Sequence, residues 1–217
     1  DYPIAVFSGH NRTQIPKDAV ARNGVPSRDH LVEQLPPVSA WGDSALVVPF
    51  ATSSGPDLVR IISSEDGNQI LVNGVSIGKQ LDAGEFYEIT ELTGVTSIKA
   101  TKPILVGQYA HTSYGVLGDP QFPAYGDPAL ALVFPVEQYT TSYTIISVED
   151  RSSFTGNFVN IVAPTSAVGT MKLDGVAIPT SEFTPIANSM YSYAQHAVDQ
   201  GTHTLTGAEP FGITIYT

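Results

Sequence analysis

The chain has 217 residues, enough for one large or two small hydrophobic cores, and only 14% of them are charged. Its net charge of −11, from 10 Lys and Arg against 21 Asp and Glu, argues against a nucleic-acid partner, since phosphate binding needs clustered cations. The absence of cysteine excludes disulfides, thiolate metal sites and cysteine nucleophiles.

In chain order, residues 2–9 alternate in the manner of a strand and resemble two later stretches, 103–109 and 210–216, which end K-P-I-L-V-G-Q-Y and E-P-F-G-I-T-I-Y. Residues 10–28 carry Asn, Pro and Gly with little periodicity and read as a long loop. That loop holds Arg12, Lys17, Arg22 and Arg28, four of the ten basic residues, while the chain from residue 29 onward is strongly acidic. Residues 29–40 read as extended, because Pro36-Pro37 stops any helical turn.

From Ala45 to Tyr109, short apolar strands alternate with turn signals, as in a sandwich or barrel. The dipeptide Asn73-Gly74 between β-formers predicts a tight hairpin, since both residues accept positive φ. Residues 110–128 are aromatic and read as an ordered connection rather than a flexible linker. The rhythm then repeats, with Asp174-Gly175 answering Asn73-Gly74. Five blocks match in the same order: 29–38 with 127–136, 45–48 with 143–146, 57–77 with 157–178, 81–89 with 186–194, and 95–109 with 201–216. The expected fold is all-β: two tandem, internally duplicated antiparallel β-sandwich units, jelly-roll-like, each roughly 85–95 residues in the range of one sandwich domain. The expected boundaries are a strand and basic loop over 1–28, a first unit over 29–118 and a second over 119–217. The opening strand is expected either to end a preceding unit or to dock on one of the sheets. With no initiator Met or leader pattern, the chain reads as a mature or excised piece of a longer protein. No apolar run reaches the length of about 18 residues that a transmembrane helix needs.

Several stretches also resemble a known family: V-F-S-G-H-N at 6–11, D-H-L-V-E-Q-L-P-P-V at 29–38, S-E-D-G at 64–67, L-D-A-G-E-F-Y-E at 81–88, G-D-P-A-L at 126–130 and V-A-P-T-S-A-V-G at 162–169. In order and spacing they are similar to the N-terminal domain of IgGFc-binding protein and its relatives, from about residue 4 to the C-terminus. The resemblance implies a secreted or cell-surface, non-catalytic binding or adhesion module within a multidomain chain, with a protein or glycan as partner. It also implies cysteines at the positions of Arg12 and Arg28, and this chain has none there.

Beyond the resemblance, the sequence carries no recognisable catalytic motif. The acid pairs Glu65-Asp66 and Glu85 with Glu88 would serve a glycosidase only if they faced each other across a substrate. Without a regular ligand spacing, His10, Asp29 and His30 are better read as strand-end residues than as a metal site. No cofactor is expected, apart from a structural calcium ion held by Asp119 and Asp127 with loop carbonyls. The expected ligand contacts are Arg12, Arg22 and Arg28 from the first loop with Tyr114, Phe122 and Tyr125 from the second, since scaffold loops commonly carry binding. Trp41 aligns with Tyr139 and is expected in packing. The alternatives are a structural spacer of a large exported protein and, behind it, a carbohydrate-active enzyme.

Overall fold

A computed structural model describes residue 2 and residues 4–17, 27–51, 56–112, 127–147 and 156–217. The described residues form an all-β molecule with four short 3-10 turns and no α-helix. The strands of the first half are β1 (Val6–Thr13), β2 (Asp29–Leu35), β3 (Gly42–Val47), β4 (Asp57–Ser63), β5 (Asn68–Val72), β6 (Val75–Leu81), β7 (Phe86–Leu92) and β8 (Thr96–Ala110). Those of the second are β9 (Ala129–Val133), β10 (Thr140–Ser147), β11 (Asn157–Pro164), β12 (Lys172–Leu173), β13 (Val176–Ala177), β14 (Thr184–Pro185), β15 (Tyr191–Val198) and β16 (Gly201–Tyr216).

Two seven-stranded antiparallel sheets are built around the two longest strands. The first runs β6-β5-β8-β4-β7, with β3 and β9 also paired to β8. The second runs β13-β12-β16-β11-β15-β14, with β10 also on β16. Each long strand changes partners near a proline. Thr96 to Ala100 pair with β3 and β5 before Pro103, whereas Ile104 to Ala110 pair with β4 and β9 after it. Proline lacks the donor a continuous ladder needs, so it sits at the switch. The change of partners curls each sheet over one core. Alternate residues Ile98, Ile104 and Val106 of β8 enter the first core with Val47, Val59, Ile61, Ile70 and Leu81. Phe211 and Leu205 of β16 enter the second with Val159, Ile161 and Met171. Each fully buried aliphatic side chain contributes about 1.5–3 kcal/mol of transfer free energy.

The two sheets share one register. Leu58 faces Tyr109 and Ile61 faces Val106 in the first, as Phe158 faces Tyr216 and Ile161 faces Ile213 in the second. Ala45 faces Ile98 as Tyr143 faces Leu205. Both predicted hairpins are present: Asn73 and Asp174 lie at φ of 52° and 51°, followed by Gly74 at 81° and Gly175 at 80°. Their carboxamide and carboxylate oxygens accept the backbone N–H of Ser97 and Thr204, which pins the turn to the long strand in each unit. One block differs from its sequence match. Residues 81–89 were matched to 186–194, but pairing puts Ala194 opposite Ile161 where Tyr87 faces Ile61, a shift of two residues. The turn between β14 and β15, with Asn188 at φ 57°, takes up the difference.

The opening strand pairs with β2 in a separate two-stranded sheet and enters neither large one. Beneath this hairpin Leu31 and Ile15 pack on Leu58, with Tyr109 and Leu130 beside them. The two cores meet through Leu46, Val48, Val162 and Ile186. A polar seam lies next to that contact. There Asn160 Nδ2 donates to the carbonyls of Val48 and Pro49 (both 3.1 Å), and Tyr216 Oη donates to Asn160 Oδ1 (2.7 Å). Gln108 Nε2 donates to Val48 O (2.9 Å) and to Asp57 Oδ2 (2.7 Å), which also accepts Phe50 N–H (2.8 Å).

Candidate functional site

Two surfaces could receive a partner, at the two ends of the β1–β2 hairpin. At one end the described parts of the two long loops meet. Ile15 N–H donates to Thr112 Oγ1 (2.8 Å), Thr112 N–H donates back to Ile15 O (2.9 Å), and Thr112 Oγ1 reaches Ser27 O (3.3 Å). Thr112 is fully buried, so these bonds hold the base of both loops together. Arg28 Nε donates to Gln14 Oε1 (3.1 Å), while the Gln14 amide donates to Lys17 O (2.6 Å). Arg12 and Arg28 are both exposed beside this junction. Where relatives are expected to carry cysteines, the loop base is held by Thr112 and Gln14. Arg22, Tyr114, Phe122, Tyr125 and Asp119 lie outside the described residues.

Below the junction, Arg60 of β4 stacks between the rings of Phe86 (5.1 Å) and Tyr109 (5.5 Å) and bonds Glu88 through Nε at 2.7 Å. Burial lowers its pKa, but Glu88 and Tyr109 outweigh that and leave it raised. Sequence reasoning did not single out Arg60; the signal was a lone cation in an otherwise apolar strand. His111 is buried at the strand exit. Burial lowers its pKa, against raising contributions from the Thr90 backbone and Glu91.

At the other end an open groove of about 950 Å³ runs between β2, β9 and the C-terminal end of β16. Its walls are apolar: Val6, Leu35, Trp41, Phe134 and Tyr143 face Ile213 and Ile215. Glu33 lies in the groove with its pKa raised by burial. Trp41, expected in packing, is only half-buried on this wall, its indole N–H donating to Pro36 O (3.1 Å). Its counterpart Tyr139, also partly buried, packs against the contact between the two cores where Gly212 leaves room; a Cβ there would overlap the Tyr139 ring. In the first unit Leu105 fills the equivalent place.

The acids weighed for chemistry are engaged in turns and ladders. Glu65 pairs with Lys102 (3.2 Å), Asp66 accepts Ala83 N–H (2.9 Å), Glu85 accepts Asp82 N–H (3.0 Å) and Glu88 holds Arg60. Among the described residues, no three His, Asp or Glu side chains stand together at metal-binding distance, and Asp127 is exposed. His10 Nδ1 accepts Arg12 N–H (3.2 Å), and Asp29 lies 3.1 Å from His30.

Among solved structures, the chain is similar to a lectin from Pleurotus ostreatus in complex with GalNAc, over 97% of this chain and 81% of that one. At 12% identity and a TM-score of 0.23, that likeness is too weak to imply a shared fold. In sequence it is 27% identical, over 99% of its length, to the IgGFc-binding protein of Homo sapiens, and spans about 4% of that protein. The family model described as IgGFc binding protein matches residues 1–217, so the chain belongs to the IgGFc-binding protein family.

Proposed function

We propose that the chain is a non-catalytic, extracellular binding module of a larger exported protein, and that it contacts a protein partner at the loop end of the β1–β2 hairpin. The observation that carries this reading is the junction at Thr112, which gathers the bases of two long loops beside Arg12 and Arg28 on an otherwise acidic chain. Family membership supports a binding role, and the human relative is named for the Fc part of IgG. Among the described residues, no helix is long and apolar enough to cross a membrane. In this reading Arg12, Arg22 and Arg28 supply charge for an acidic face, and Tyr114, Phe122 and Tyr125 supply rigid contact area.

The test is binding of the chain to immobilised IgG Fc, to a glycoprotein array and to a glycan array. Reversing Arg12 to Glu is expected to weaken protein binding by about tenfold or more with an unchanged Tm, and reversing Arg28 as well to weaken it further while lowering Tm only slightly through loss of its exposed bond to Gln14. Silence on all three surfaces favours a spacer, and binding confined to free glycans would replace the protein partner with a sugar. Polysaccharide turnover abolished by changing one acid would make it an enzyme.

A further inference from the structure

We infer that the outer edge of β16, over residues 212–216, is an acceptor for the β2 strand of a second copy of this chain, giving head-to-tail association by strand exchange. The argument starts from β8. Its second half has strands on both sides, β4 on one and β9 on the other, with Val106 facing Val133 and Ala110 facing Ala129. The matching half of β16 carries β11 in the same register, but past the Thr140–Phe211 pair its other side has no strand among the described residues. Burial records the difference. Val106 and Gln108 are 2% and 1% exposed, whereas the matching Ile213 and Ile215 are only partly buried.

The hairpin at the start of the chain shows what belongs on such an edge. β1 faces β2 with Val6 opposite Leu35 and His10 opposite Leu31, the same steps that separate Val106–Val133 and Ala110–Ala129. β1 therefore occupies the place of a closing strand, and β2 the place of β9. Yet among the described residues β1 has nothing like β4 on its other side, and nearly all of it is exposed. A two-stranded sheet of this kind is marginal by itself. The two open edges are complementary: β16 lacks a β2-type strand, and β2 is held by a strand that lacks a sheet. Moving β2 from β1 to a neighbour's β16 keeps the ladder and joins it to seven strands already in place. The groove lies along this edge, lined by Ile213, Thr214 and Ile215 on one side and by this chain's own Glu33, Gln34 and Leu35 on another, with Phe134 and Tyr143 nearby for the incoming apolar side chains. The register follows from the equivalences: Ile213 opposite Leu35, Thr214 opposite Gln34 and Ile215 opposite Glu33. A head-to-tail contact of this kind builds a ring where the rotation between copies closes and an open array where it does not.

The proposal is independent of the partner contact at the loop end. The probe is a synthetic peptide of residues 29–41 added to the whole 217-residue chain. Because the chain has no cysteine, Thr214→Cys supplies its only thiol. A Gln34→Cys peptide should form a disulfide with it at least about tenfold faster than a Leu31→Cys peptide, since disulfide geometry requires close Cα atoms. Methylating the peptide's edge-facing backbone nitrogens should abolish binding while leaving its side chains intact. The unmodified chain should self-associate on sedimentation as its concentration rises, and the free peptide should reverse this. Absence of peptide binding at millimolar concentration, equal cross-linking at both positions, or indifference to methylation would each overturn the proposal.

Discussion

Asp174 does three things at one turn. It adopts positive φ, accepts Thr204 N–H at 2.8 Å, and holds His203 Nδ1 at 2.7 Å. The bond to Asp174 raises the pKa of His203 from its ordinary 6.5. A raised histidine pKa gives stability that is complete below 6.5 and is lost as pH rises through the raised value. His111 has the opposite sign: burial lowers its pKa, so its neutral form is favoured and stability falls as pH drops below 6.5. The Tm difference between the wild type and His203→Gln should therefore shrink between pH 6 and 9, as differential scanning calorimetry can measure. At Gly212 the constraint is steric. Gly212→Ala would push a methyl group into the Tyr139 ring, and should cost about 1–3 kcal/mol in urea unfolding. Leu105→Ala, at the equivalent place, creates a void instead and should not disturb Trp41.

Elements were legible where a local signal was enough. Asn-Gly and Asp-Gly announced both hairpins, and the short apolar stretches between turn signals announced the strands from Ala45 to Tyr109. Stretch 168–178, read as a strand, the Asp174-Gly175 turn and a further strand, keeps that turn but opens with a 3-10 turn at Val168–Thr170, which leaves only two-residue strands on either side. Thr170 Oγ1 donates to Ala167 O at 2.7 Å, a local bond that competes with the ladder. What no stretch could announce was partner choice. The sequence makes 29–35 and 129–133 extended, but which edge each joins is decided by contacts far along the chain. The β1–β2 hairpin rests on Leu31 in a small cluster of its own. Leu31→Ala should therefore cost about 2–3 kcal/mol locally. Hydrogen exchange should show β2 losing protection while β4 and β11 keep theirs.

The whole molecule depends on how its two units meet, and here sequence said least. The basic loop was visible as four cations spread over residues 10–28, of which Arg12 and Arg28 are exposed at one junction. The groove is assembled from five separated stretches, so neither spacing nor composition could reveal it. The seam is equally non-local: Asn160 and Gln108 lie in strands of different units and both donate to Val48 O. Buried amides joined in this way are costly to leave unmatched. Asn160→Leu strips donors from Val48 and Pro49 and should uncouple the units. Calorimetry is expected to split a single melting transition into two. A single transition at an unchanged temperature would mean that the apolar contact of Leu46, Val48 and Val162 suffices to hold them.

The placement of Val6 opposite Leu35 also has a mechanical consequence. The two ends of the hairpin leave from the same side, so tension along the chain peels its hydrogen bonds apart one pair at a time instead of shearing them together. Peeling needs the least force, and the strands of the seven-stranded sheets are tied to neighbours on both flanks of β8. Under load the hairpin should yield first and lengthen the chain by about 100 Å, the reach of residues 6–35 at ~3.4 Å each. In optical tweezers this would appear as an early, reversible step before either core ruptures. A protein anchored at one end and held at the other would thus stretch before it broke.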